Sequence, residues 1–374
     1  MNVLRALHPR AIYLVLMNRL GSGREAESQG EWEGEREAVR ELPVLADEKK
    51  PIEPQSAAQG PIVGPGSGAG ESRPSRPRRV VLPLALFLLT CLSTFFTGAC
   101  QWWPPQYLFL ERPMGNFDSP WRRAIYAHWD DGLTYMACVL AILLTHEMGH
   151  FIATLCYRVP ASLPFFIPLP ISPIGTMGAV IAMDGRRANR RATFDIGLAG
   201  PLAGLVVAFP ILIVGVMRLD FTARQAGFFQ VDLPLATRMI LDWLQPVGYT
   251  QGAALWQSQL NPYFMAGWIG LFITGLNMMP VSQLDGGHVI YTLFGRRAHW
   301  IARAFVLLAI TSILLGWVND GLWLMVVVVM LFGTDHPPTH DDRVPLGWFR
   351  TILGCLSLAI PVLCFAPQLF IVPE

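Results

Sequence analysis

From residue 80 onward the chain is a succession of apolar runs, most of them close to twenty residues long. A run of that length is what an α-helix needs to cross the hydrocarbon core of a bilayer. No water reaches the backbone there, so each crossing segment must satisfy its own N–H and C=O groups, as a helix does. The composition agrees. Hydrophobic residues make up 52% of the 374, charged residues only 15%, and the mean hydropathy is +0.40. These values point to an all-α polytopic membrane protein, not to the two or three soluble domains that this length would otherwise hold. A net charge of +1 gives no sign of a nucleic-acid partner.

Residues 1–79 differ from the rest. The apolar stretch 11–20 is too short to span, 25–50 is rich in glutamate, and 51–79 is rich in Pro, Gly, Ser and Ala. This reads as a disordered cytoplasmic tail and linker ahead of a membrane domain over 80–374. Six to seven spans are expected, at 80–99, 133–157, 194–217, 262–283, 300–317 and 351–370, with the short piece 321–332 as the seventh. Segment 101–131 reads as a loop of mixed charge, and 218–259 as a polar stretch. Segment 160–183 is apolar, yet Pro164, Pro168, Pro170 and Pro173 forbid a regular helix. Irregular backbone at membrane depth must be covered by protein or line a wet cavity, so a short re-entrant or β-hairpin-like segment beside a site is expected. The six cysteines fall in or beside apolar segments without a C-x-x-C pair, and read as small buried hydrophobes. His128, His299, His336 and His340 read as loop residues facing water.

Arginine placement sets the orientation. With the N-terminus inside, Arg73, Arg76, Arg78, Arg79, Arg186, Arg187, Arg190, Arg191, Arg296, Arg297, Arg303, Arg343 and Arg350 fall on the cytoplasmic side. That excess is the positive-inside pattern, and the expected location is a bacterial inner membrane.

Three ionisable residues stand inside the apolar run 133–157: His146, Glu147 and His150. Such residues are costly within a span and mark a functional site by default. Histidines four apart share a helix face and can converge on one metal, and Glu147 lies about 100° further round the helix, near a metal-bound water. A lone histidine would read as a hydrogen-bond partner for a neighbouring helix, whereas this H-E-x-x-H pattern is that of zinc metalloproteases. A catalytic zinc needs a third protein ligand and an open position. Asp285, at the end of the expected span 262–283, is a candidate ligand, the alternative being a helix-end cap facing the cytoplasm. Pro280 breaks that span, and Gly286 and Gly287 allow close backbone approach. Asn277 can hydrogen-bond a substrate carbonyl or oxyanion, or equally join two helices. The small residues of 197–204 read as a face for close helix packing. His288 is excluded from the ligand set, since a fourth protein ligand would close the water position.

Together, HEMGH at 146–150, AGPLAG at 199–204, and NMMP at 277–280 leading into LDGG at 284–287 resemble the site-2 protease family of intramembrane zinc metalloproteases. The likeness runs from about residue 133 to 295, the expected catalytic core. FFIP at 165–168, DIGLAGP at 195–201 and AGW at 266–268 look like the branch containing the chloroplast EGY-type proteases and their bacterial relatives. The resemblance implies one zinc ion per chain held by His146, His150 and Asp285, with Glu147 as catalytic acid/base and Asn277 contacting substrate. It implies cleavage of transmembrane protein substrates within the bilayer. No PDZ domain is visible, and 218–259 is too short for one. The remaining alternative is an inactive zinc-binding membrane scaffold or transporter, although no internal repeat of the transporter kind is apparent. A prenyl-protein protease would need a glutamate as third ligand. After Glu147 the sequence offers only Glu374.

Overall fold

The computed structural model describes residues 80–110, 119–281, 284–316, 339–366 and 368–372. The expected tail 1–79 and the expected span 321–332 lie outside the described residues, as does His336.

Helix α1 (Val81–Ala99) shows how hydropathy and burial are arranged in this protein. Leu84, Leu88 and Leu92 are exposed, whereas Thr90, Ser93, Thr94 and Thr97 are buried. A helix in water would turn the other way. An apolar outside with small polar residues inside is the arrangement of a lipid-facing helix; Thr90 and Thr94 bond back to its own carbonyls, and Ser93 and Thr97 reach out of it.

Helix α2 (Pro120–Cys156) begins well before the expected span. Pro120 takes its first turn, where a missing N–H costs nothing. Its charged first part, read above as loop, is helical up to a kink at His128, where φ is −133°. After a hairpin of β1 (Phe165–Leu169) and β2 (Gly175–Val180), helix α3 (Arg190–Met217) returns across the bundle. The Asn189 side chain caps α3, accepting from the Ala192 N–H at 2.9 Å.

The segment after α3 folds into β3 (Gln230–Val231), α4 (Leu235–Leu244) and β4 (Leu255–Trp256). Helix α5 (Pro262–Asn277) follows, capped by Asn261. It is 16 residues long, and all but three of them are buried, Trp268, Phe264 and Phe272 almost completely. This helix ends six residues before the expected limit of 283, because Pro280 has no N–H to continue the ladder. Asp285 therefore does not end a span. It opens the next helix, α6 (Asp285–Phe294), which continues through a short 3₁₀ turn into α7 (Ala298–Leu314). Helices α8 (Trp348–Ser357) and α9 (Ile360–Cys364) cross back to β5 (Phe370–Ile371), which pairs with β3 in a sheet of order β4-β3-β5.

Among the described residues, four helical segments are long and apolar enough to cross a membrane: Val81–Ala99, Pro120–Cys156, Arg190–Met217 and Asp285–Leu314. Helix α5 is apolar but about 24 Å long at 1.5 Å per residue, and it is surrounded by protein. Two expected loop histidines also lie in helices: His128 at the α2 kink, and His299 in the first turn of α7, where it stacks on Tyr291 at 6.1 Å.

The two ends of the bundle are tied differently. At one end the Arg190 guanidinium donates to the carbonyls of Thr292 (2.7 Å) and Leu293 (3.4 Å), and Arg191 to that of Pro345 (2.6 Å). At the other, Trp268 Nε1–H donates to the Asp232 carbonyl at 2.8 Å and Gln257 Nε2 to that of Gln101 at 2.8 Å, seating the small sheet on the helices.

Candidate metal centre

Helical spacing brings His146 and His150 to one face of α2, with their Nε2 atoms 3.3 Å apart. The first turn of α6 places Asp285 Oδ2 3.4 Å from each. These three atoms form a nearly equilateral triangle. Ligands bound tetrahedrally at about 2.0–2.1 Å stand about 3.3–3.4 Å apart, so the triangle has the size of one face of a zinc coordination shell. Asp285 Oδ2 is also buried and without a hydrogen-bond partner. A carboxylate oxygen left so costs free energy unless a cation takes it up. Among the described residues, this is the one cluster of three His, Cys, Asp or Glu side chains able to hold a metal. The triangle fits the zinc expected from the sequence.

The ring of His150 is fixed from behind. Its Nδ1–H donates to the Ile196 carbonyl of α3 at 2.7 Å, which leaves the Nε2 lone pair facing the triangle. Room for both rings comes from α3. A Cβ at Gly200 would lie 2.0 Å from His150 Nε2, and one at Gly204 3.0 Å from His146 Nδ1. The stripe read as generic helix packing is thus the wall against which the two imidazoles rest. Gly286 has the same importance for Asp285: a Cβ there would lie 2.1 Å from the Met278 carbonyl oxygen, so only glycine lets α6 start so close to the end of α5.

A cavity of about 170 Å³ opens onto the triangle. Glu147, 4% exposed, lies in its wall, as do Asn277 and His288. Asn277 Nδ2 stands 3.4 Å from His146 Nε2, so the last residue of α5 reaches the same centre. All five residues singled out in the sequence meet at this cavity. The opposite wall is the end of the hairpin, through Ala179, Val180 and Met183. The hairpin itself pairs antiparallel, Phe165 with Val180 and Leu169 with Gly175.

Buried hydroxyls of α1 and α2 hold this hairpin in place. Ser93 Oγ–H donates to the Gly175 carbonyl at 2.5 Å, and Tyr135 O–H to that of Ile174 at 2.7 Å. Gly175 itself has φ +82°, and a Cβ there would lie 2.8 Å from Thr97 Oγ1. Gly175→Ala is therefore expected to shift the hairpin and to lower any activity of the site by about 100-fold, the usual effect of an ångström of misplacement, with zinc binding unchanged. Equal loss of bound zinc would contradict it. The signal for this anchor in the sequence is Ser93 and Thr97, one helical turn apart within an apolar run.

Two imidazoles one helical turn apart and a carboxylate from a separate helix form a group able to hold a metal ion, with a buried glutamate beside it. Sequence comparisons point the same way. Residues 134–318 match Peptidase family M50. The chain is 30% identical over 331 residues to "Probable zinc metalloprotease EGY1, chloroplastic" of Oryza sativa subsp. japonica, covering 84% of this chain and 56% of that protein. It is 30% identical over 309 residues to the Arabidopsis thaliana protein of the same name, covering 79% and 55%. It is 26% identical over 248 residues to "Probable zinc metalloprotease EGY2, chloroplastic" of Arabidopsis thaliana, covering 64% and 42%. The chain spans about half the length of these relatives.

Proposed function

We propose that this protein is an intramembrane zinc metalloprotease that hydrolyses peptide bonds within or near transmembrane helices of other membrane proteins. The observation that carries the reading is the 3.3–3.4 Å triangle of His146, His150 and Asp285, with Glu147 beside it in a cavity. His146, His150 and Asp285 would hold zinc, which would supply Lewis acidity to activate water and polarise a carbonyl.

The chain's own residues do the rest. Glu147 takes the proton of the attacking water and passes it to the leaving nitrogen. Asn277 donates its amide N–H to the carbonyl oxygen as negative charge develops. His150 is kept in register by Ile196. The substrate helix must unwind to expose a peptide bond, and inside a bilayer its freed N–H and C=O groups need partners. Strand β2, whose end forms the cavity wall, supplies them by backbone pairing. Burying Glu147 would be a needless cost in a zinc-binding scaffold, which favours the enzyme.

In this reading 80–374 is one membrane-embedded protease domain with its core at 133–295, and 1–79 is a cytoplasmic tail and linker. The arginine-rich end bearing Arg190, Arg191, Arg297 and Arg350 faces the cytoplasm. The metal centre lies towards it, since His150 is seven residues, about 10 Å, before Tyr157 at the end of α2. A bacterial inner membrane is the proposed location; the chloroplast in the relatives' names is theirs.

Metal removal tests the proposal. In nanodiscs holding the full chain and a reporter transmembrane helix, chelation to below one zinc per ten chains is expected to reduce cleavage about tenfold or more, in step with the metal removed, and zinc readdition to restore it. Cleavage that persists at full rate after the metal is shown to be gone would rule the proposal out.

A further inference from the structure

Asp195 immediately precedes Ile196, whose carbonyl receives the Nδ1–H of His150. Its carboxylate is held from two directions. Arg350, in the first turn of α8, donates Nε–H to Oδ1 and Nη2–H to Oδ2, both at 2.8 Å. Tyr157, which closes α2, donates its hydroxyl to Oδ2. Three segments therefore meet on one carboxylate: the helix that carries His150, the helix that carries its acceptor, and helix α8. Arg350 lies beyond residues 134–318, so this contact comes from outside the matched family segment.

The geometry of the contact bears on the metal. A bidentate guanidinium–carboxylate pair is planar and directional, so it resists rotation of α3 about its own axis as well as separation of the helices. The Tyr157 hydroxyl sets how far along α3 the end of α2 can lie. Roll and axial register are the two coordinates that place the Ile196 carbonyl opposite His150 Nδ1. With Arg350 and Asp195 side chains 33% and 27% exposed, the pair is partly screened, and its value lies in direction more than in energy.

We propose that Tyr157, Asp195 and Arg350 form a positioning clasp for the metal centre, acting on His150 through the Ile196 carbonyl. This rests on the zinc reading above. The test uses the full chain in nanodiscs, with Zn²⁺ affinity from chelator competition and the visible absorption of the Co²⁺-loaded protein. Arg350→Ala is expected to weaken zinc binding about 10–100-fold, the range for groups that orient a metal ligand, and to shift the cobalt spectrum. Arg350→Lys, which keeps the charge and loses the fork, is expected to fall between Arg350→Ala and the natural protein. If Arg350→Ala does not fold, the shape-conserving Asp195→Asn carries the same expectation. An unchanged zinc affinity, or a loss with an unchanged cobalt spectrum, overturns the clasp. Failure of the natural protein to bind zinc instead overturns the metal reading, so the two failures are distinct.

Discussion

Gly200→Ala is expected to abolish tight zinc binding while leaving the protein folded. By helix propensity alone the change should help, since alanine is favoured over glycine in a helix interior by about 1 kcal/mol. The site reverses the sign. The added methyl would stand 2.0 Å from His150 Nε2, 2.3 Å from Cδ2 and 2.5 Å from Cε1, on top of the ring. The ring cannot swing away and still hold the 2.7 Å bond to Ile196. Nor can α3 simply retreat from α2, because it also lies directly on α5 and α6: a Cβ at Gly267 would already be 2.7 Å from Leu212 Cα, and one at Gly197 2.9 Å from His288 Cβ. A ligand is displaced either way, and zinc affinity should fall by more than the roughly 100-fold upper range for an orienting group. Gly204→Ala is the internal comparison. Its methyl would meet His146 Nδ1 at 3.0 Å, a contact relieved by a few tenths of an ångström, so a much smaller loss is expected. Chelator competition on both variants checks the order, and natural zinc affinity in Gly200→Ala would refute it.

The second large effect is on chemistry and not on the metal. Glu147→Gln keeps the size and polarity of the side chain, and the metal triangle does not use Glu147. Zinc should remain. What is lost is the group that can accept and return a proton. General acid–base catalysis contributes about 10²–10⁴-fold, so single-turnover cleavage should slow by that factor, equivalent to about 3–5 kcal/mol of barrier. His150→Ala provides the contrast, since it removes a ligand and should lose zinc and cleavage together.

What the sequence revealed of this site followed the range of the interactions. The geometry of His146, Glu147 and His150 is local, fixed by 3.6 residues per turn, so it could be read directly. The hairpin was legible for a similar reason: four prolines exclude helix while the apolar side chains keep the segment inside the protein. Asp285 could be found because an acid at membrane depth needs a partner. Its setting could not, since beginning α6 there depends on Gly286 fitting against Met278. Length and burial part company at the expected span 262–283. Helix α5 is apolar because protein surrounds it, and hydropathy does not separate that case from lipid exposure. The helical start of α2 was missed because its charges suit a loop or a helix outside the bilayer equally. Arg350 and Asp195 lie 155 residues apart, and nothing in either neighbourhood announces the other.

The most direct test measures bound zinc and reporter cleavage in the same nanodisc preparation of the Glu147→Gln protein. The expected result is about one zinc per chain, as in the natural protein, with cleavage reduced by at least about 100-fold. Cleavage at the natural rate would show that Glu147 is not the acid/base, and with it the protease assignment of this site would fall.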